Sequence, residues 1–118
     1  MNNASEQNAE ICLALTTAGS AGEARQLAQM LVERRLAACV NILPGVRSVY
    51  RWKGKVEDVE EAMLVIKTSR GQAAELEAAL REAHSYDLPE FLLIPIAGGG
   101  AAYLAWLRDG LRDGLGPI

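Results

Sequence analysis

Between Ala38 and Thr68 the chain carries two runs of strand-forming residues that are too long for the body the rest of it can build. Val40, Ile42, Val46 and Val49 lead into Tyr50 and Trp52, with one interruption at Pro44-Gly45, the mark of a bulge or bend. Lys53-Gly54 supplies a tight reversal. Val59 to Thr68 then alternates Ala62, Leu64 and Ile66 on one face with Glu61, Met63, Val65 and Lys67 on the other. Residues 38–53 would reach about 50 Å when extended. A compact body of this chain length is only about 35 Å across. The hairpin is therefore expected to overhang its domain and to expose unpaired edges and aromatic side chains that another subunit covers. A homo-oligomer with hairpins docked on neighbouring bodies is the expectation.

The remaining elements place this hairpin in a fold. Ile11 to Thr16 is an uninterrupted apolar run, as in a central strand covered on both faces. Ser20 followed by Glu23 forms a capping box, after which Ala24, Leu27, Ala28 and Leu31 predict a helix over residues 21–36. Ser69 and Gln72 repeat that pattern ahead of Leu76, Ala79, Leu80 and Ala83, which predict a second helix ending near His84. Phe91 to Ile94 reads as a short fourth strand. Gly98-Gly99-Gly100 opens onto a third helix carrying Leu104, Leu107 and Leu111.

The order is βαββαβ plus a C-terminal helix, an α+β ferredoxin-like sandwich with both long helices on one face of an antiparallel sheet. Residues 1–9 are polar and aperiodic and are expected to be a frayed, disordered end, leaving 10–118 as one domain. Glu61, Met63, Val65 and Lys67 line the second face, a mixture that neither a dry core nor a free surface explains, so a partner is expected to cover it.

Composition narrows the function. With 118 residues, half of them apolar, and a net charge of −3, the chain has material for one core and lacks the basic footprint of a nucleic-acid binder. No apolar run is long enough for a membrane-spanning helix, and the polar start has no leader pattern, so no membrane partner and a cytoplasmic setting are expected. Cys12 and Cys39 have no chelating or disulfide spacing and fit a reducing compartment. The glycine turns at 19–22 and 98–100 lack the lysine of a phosphate loop and the acidic partner of a dinucleotide fold, and turn geometry explains both. Ser48, His84 and Asp87 do not form a hydrolase triad, because Asp87 adjoins the histidine in sequence and no nucleophile motif surrounds Ser48. The chain is not expected to be an enzyme.

Several separated motifs, in the right order from about residue 10 to residue 112, resemble the CutA divalent-cation tolerance family. They are Leu36 to Asn41, Pro44-Gly45, Ser48 to Lys55, Ile66-Lys67-Thr68, His84 to Glu90 and Tyr103 to Leu107. The resemblance implies a ferredoxin-like trimer, similar in architecture to PII-type signalling proteins, with interlocked hairpins and polar residues in the clefts between subunits. It also implies tolerance to divalent cations and, for some members, copper binding. Two departures stand out. The family's usual His-Pro-Tyr is His84-Ser85-Tyr86 here, which removes a rigid residue beside His84. Thiols that some members carry are replaced by Thr16 and by Ala78 or Ala79.

Copper(II) favours imidazole and copper(I) favours thiolate or thioether, so His84, Cys39 and the three methionines are ligand candidates, with Glu90 beside them. One chain supplies no closed set, and a trimer could combine His84 of one subunit with Cys39 or Glu90 of the next. The alternatives are packing for Cys39 and helix capping for His84, while Cys12 and Met63 read as core. Lys67 and Glu61 lie about 20 Å apart along one strand and cannot pair within a chain. Lys67 could neutralise Glu90, a bound carboxylate or a neighbouring subunit's acid. Tyr50, Trp52, Glu61, Lys67 and Tyr86 are the residues expected at the intersubunit cleft, with Tyr50 and Trp52 either stacking a ligand or anchoring the contact. The leading expectation is a trimeric protein that binds a divalent metal, copper foremost. The alternative is a PII-like signalling or interaction trimer that binds a small anion or a protein partner.

Overall fold

A computed structural model describes residues 9–111. The expectation of a frayed end falls almost wholly on residues 1–8, which lie outside the described residues, as do residues 112–118 of the expected domain. The elements are β1 (Ile11–Ala18), α1 (Ala21–Glu33), β2 (Cys39–Trp52), β3 (Lys55–Ser69), a 3-10 turn (Arg70–Gln72), α2 (Ala73–Ala83), β4 (Leu92–Pro95) and α3 (Ala101–Asp109). The strands form one antiparallel sheet in the order β2-β3-β1-β4, the ferredoxin-like arrangement expected from the element order.

The pleat sorts the strand residues into two faces. Ala14 opposes Ile66, Thr16 opposes Leu64 and Ala18 opposes Ala62, and this face packs on Leu27 and Leu31 of α1 and on Leu76 and Leu80 of α2. The other face carries Leu13 opposite Lys67 and Leu15 opposite Val65. There α3 covers only one end, where Leu107 and Leu111 close over Ile11 and the edge of Cys39. Leu13, Leu15, Met63 and Val65 stay half-buried, so β1 is central but fully covered on one face only.

Two helix boundaries differ from the sequence pattern. Helix α1 ends at Glu33 rather than at residue 36, because Arg35 adopts φ 59° and turns the chain. The Leu36 amide donates to the Leu31 carbonyl at 2.9 Å and the Arg35 amide to the Val32 carbonyl at 3.0 Å, the paired bonds of a Schellman motif. Leu36 and Leu31 are both buried in the core, so Leu36 is a cap contact rather than a helical residue.

At the start of α2 the expected capping box does not form. Ser69 makes no cap hydrogen bond, and its Oγ and the Gln72 Oε1 are buried without a partner among the described residues. The ladder runs on through Arg70, whose amide donates to the Glu10 carbonyl at 2.9 Å, so the chain turns late and needs a 3-10 turn before the α-helix begins at Ala73.

The hairpin closes on a two-residue turn with Lys53 at φ 51° and Gly54 at φ 82°, the left-handed pair of a type I′ turn. Pairing continues to Trp52 opposite Lys55, which starts β3 four residues before Val59. Between Leu43 opposite Met63 and Val46 opposite Glu61, β2 spends two residues against one, and Gly45 takes φ 72° in this bulge. The phase of β2 therefore reverses. Val40 and Ile42 lie on the helix-covered face, whereas Val46, Ser48, Tyr50 and Trp52 lie on the face of Glu61.

The hairpin does overhang. The described residues measure 49 × 27 × 26 Å, and their radius of gyration is 15.2 Å. A compact chain of that size has about 13 Å. Val49 and Val56 near the tip are 65% and 64% exposed. Tyr50 and Trp52 are exposed beside them.

Candidate functional site

The polar side chains that the sequence scatters from residue 17 to residue 90 gather where β1 runs out and the loop after α2 returns to the sheet. His84 is the C-cap residue of α2, with its amide bonded to the Leu80 carbonyl at 2.9 Å and its ring buried. Its Nε2 lies 2.7 Å from the Thr17 carbonyl oxygen, and the Tyr86 amide donates to its Nδ1 at 3.0 Å. A carbonyl only accepts and an amide only donates, so the hydrogen sits on Nε2 and the Nδ1 lone pair is in use. A metal could take Nδ1 only by displacing the Tyr86 amide.

Glu23 fixes the other side of the loop. Its backbone amide donates to Ser20 Oγ at 3.0 Å, which is half of the expected capping box. The reciprocal half is redirected. Instead of closing on the Ser20 amide, the carboxylate accepts from the Gly19 amide at 3.3 Å, the Ser85 amide at 2.9 Å and the Ser85 hydroxyl at 3.0 Å. Burial alone would raise the Glu23 carboxyl, but the Ser85 and Gly19 bonds, together with the His84 ring, outweigh it and hold the group below its ordinary value. Ser85, where a proline would have no amide hydrogen, thus supplies two of the three donors.

Tyr86 carries the connection to the sheet. Its hydroxyl donates to Glu61 Oε2 at 2.7 Å, and its ring lies 4.7 Å from the His84 ring between centroids. Burial, then the Glu61 bond, pushes the phenol far above its ordinary value, which keeps Tyr86 a donor at any physiological pH. Glu61 is buried, and Tyr86 is its donor. Burial, then the charge of Glu61, raises the Glu90 carboxyl. Tyr50 lies on the same face as Glu61 but opposite Glu57, four residues further along β3 towards the hairpin tip. Three of the sequence candidates, His84, Tyr86 and Glu61, are thus in contact within one chain, with Glu23 and Ser85 completing the group and Glu90 near enough to feel the charge of Glu61.

The other candidates lie apart. Cys39 is partly buried against Leu107 and Leu111, beside Lys67 and level with Leu13. Leu13 is four residues along β1 from Thr17, about 13 Å. Cys39 and His84 therefore cannot share an ion within a chain, and among the described residues no group of three or more His, Cys, Asp or Glu side chains could hold one. Lys67 does not meet Glu90; its ammonium donates to the Tyr103 hydroxyl at 3.1 Å. Trp52 stands at the hairpin end with the Lys53 ammonium 5.8 Å from its ring centroid. Cys12 is buried, and that burial raises its thiol.

Sequence reasoning did not assign a site role to Glu23 or Tyr103. Glu23 was accounted for by its cap, and its bonds to Ser85 span 62 positions. Tyr103 meets Lys67 across 36.

The topology, the overhanging hairpin and the polar cluster define an α+β ferredoxin-like protein whose polar site joins the start of α1, the loop after α2 and β3 at the end of the sheet. The sequence matches the family described as "CutA1 divalent ion tolerance protein" over residues 12–110, and the chain belongs to that family. It is 45% identical over 98 residues to "Divalent-cation tolerance protein CutA" of Pectobacterium atrosepticum, covering 83% of this chain and 89% of that one. Among solved structures, the divalent cation tolerance protein of Thermus thermophilus superposes with a TM-score of 0.83 at 42% identity, covering 86% of this chain and 98% of that one. A protein from Archaeoglobus fulgidus described as periplasmic divalent cation tolerance protein CutA gives 0.82 at 36%, covering 85% and 97%. The family is described by tolerance to cations rather than by a reaction.

Proposed function

We propose that this chain serves divalent-cation tolerance as a homotrimer, and that it binds a divalent metal such as copper in clefts that close only when copies associate. The observation that carries the reading is the hairpin. It overhangs a body drawn out to 49 × 27 × 26 Å and exposes Val49, Tyr50, Trp52 and Val56. Surface of this kind is stabilised when a neighbouring subunit covers it.

Ligation across copies would combine Glu90 and His84 of one subunit with Cys39 of another, since Cys39 lies too far from the other two along its own sheet. The Tyr86 amide must give up Nδ1 for His84 to take part. Metal uptake is then coupled to a rearrangement of the loop after α2. A cytoplasmic setting belongs to the same proposal, and cell fractionation tests it.

Sedimentation velocity tests the assembly, and equilibrium dialysis against copper(II) tests the site. The expected result is a trimer that retains copper, with retention reduced in the Cys39→Ala, His84→Ala double variant. A folded monomer at micromolar concentration would overturn the assembly, and equal copper retention by both proteins would remove these residues as ligands.

A further inference from the structure

At the opposite end of the sheet from His84, two side chains, Lys67 and Tyr103, hold hydrogen-bond donor hydrogens beyond the one bond between them that nothing among the described residues accepts. Lys67 leaves β3 opposite Leu13 and Cys39, and its ammonium lies 3.1 Å from the hydroxyl of Tyr103 on α3. The ammonium is 5.5 Å from the Tyr103 ring centroid because it sits beyond the hydroxyl, so this is a hydrogen bond rather than a contact with the ring face. An ammonium cannot accept, so Lys67 is the donor and the phenolic hydrogen of Tyr103 points elsewhere.

That hydrogen and the remaining ammonium hydrogens have no acceptor among the described residues, and no carboxylate there forms an ion pair with Lys67. The Tyr103 bond raises Lys67 above its ordinary value, against the smaller opposing effect of burial, so the charge is retained. One helical turn further on, the Trp106 ring stacks with Tyr103 at 5.7 Å between centroids and 22° between planes. Tyr103 is 46% exposed and Trp106 57%, so the stacked pair forms an open aromatic shelf beside the donors.

We propose that Lys67, Tyr103 and Trp106 form a receptor for a small aromatic carboxylate. One carboxylate oxygen accepts from the ammonium and the other from the phenolic O–H, and the ring of the ligand lies along the indole. A carboxylate suits the donors because charge-assisted bonds are the strong ones and its two oxygens can bridge two neighbouring groups. An aromatic body suits the shelf because offset stacking adds to the area covered. The site uses no residue of the metal reading other than Cys39 as a strand neighbour, and its failure would leave that reading untouched.

The probe is sodium benzoate, titrated into the 15N-labelled full chain at constant ionic strength. The indole N–H signals of Trp106 and Trp52 are followed by NMR and assigned with a Trp106→Phe variant. Benzamide, the neutral isostere, and sodium phosphate are parallel arms. A ligand of this size is expected to bind with a dissociation constant on the order of millimolar. The Trp106 signal should shift saturably while that of Trp52 does not. Benzamide should bind about tenfold more weakly, the loss expected when a charge-assisted bond becomes neutral, and phosphate should give no saturable shift.

Lys67→Met should weaken benzoate binding about tenfold. Tyr103→Phe, which removes only the hydroxyl, should weaken it severalfold, and it decides the question if the Lys67 variant fails to fold. A linear shift, equal binding of benzamide or phosphate, or unchanged binding in the folded variants would overturn the proposal. So would the absence of any shift because an adjoining subunit seals the shelf.

Discussion

Exchanging Glu23 for Gln tests whether the loop that holds His84 is clamped from α1. The substitution preserves the size of the side chain but leaves one acceptor oxygen where the carboxylate uses two, Oε1 for Gly19 and the Ser85 hydroxyl and Oε2 for the Ser85 amide. With the amide oxygen at the first position, its NH2 group faces the Ser85 N–H, donor against donor. One bond to a charged acceptor is lost, at about 1.5–3 kcal/mol, and two others become neutral. Ser85 is exposed, so water recovers part of this, and the net loss should be about 2 kcal/mol. With a urea slope of about 1–3 kcal/mol/M for a small protein, the midpoint should fall by about 1 M at pH 7 and fixed protein concentration.

The pH dependence identifies the cause. The folded Glu23 carboxyl titrates below its ordinary value, so its stabilisation is present in full above the unfolded value, about 4.3, and is lost as pH falls through the folded one. Gln does not titrate. The gap between parent and variant should therefore be widest near neutrality and should close on acidification. Equal midpoints at pH 7, or a gap unchanged at pH 3, would refute the clamp.

Tyr86→Phe removes the hydroxyl that donates to buried Glu61, and denaturation at pH 7 should show a loss of about 1–3 kcal/mol. For Glu90→Gln the direction is opposite: a carboxyl raised in the folded state loses its favourable contribution as pH rises from the unfolded to the folded value, so the variant should match the parent at pH 3 and exceed it at pH 7, by less than about 1 kcal/mol. Arg35→Gly should raise stability by about 0.5–1 kcal/mol in thermal or urea melts, because relief at φ 59° exceeds the chain entropy that glycine adds. A destabilised Arg35→Gly variant would mean that the side chain contributes more than the left-handed backbone costs.

The sequence made the fold legible wherever the cause was local. The β-branched residues of β2, the Lys53-Gly54 turn and the alternation around Leu64 act within a few positions of one another, and the hairpin they predict is present. Glycine marks the bulge at Gly45 in the same way. Arg35 breaks that correspondence, since it occupies a left-handed position normally signalled by glycine, and the end of α1 was misplaced as a result. Ser69 and Gln72 match a capping pattern, but the ladder continuing through Arg70 decides where the chain turns. At the site, residue types could be chosen from sequence but not their bonds. That His84 has both nitrogens engaged depends on Thr17, 67 positions away, and that Lys67 answers to Tyr103 instead of Glu90 depends on where α3 lands.

Because β3 runs unbroken past the kink at Pro44-Gly45, its pleat makes the hairpin obey a rule of parity. Two residues could be added to or removed from both arms beyond the kink, changing the reach while Tyr50 and Trp52 kept the side they now occupy. A single-residue deletion at Gly45 would straighten β2 and leave Tyr50 opposite Glu57 and Trp52 opposite Lys55, whereas one residue taken from each arm between the kink and Tyr50 would turn both rings to the reverse side and present Val49 and Arg51 in their stead. Drift in hairpin length among proteins of this architecture should accordingly come in steps of two residues per arm.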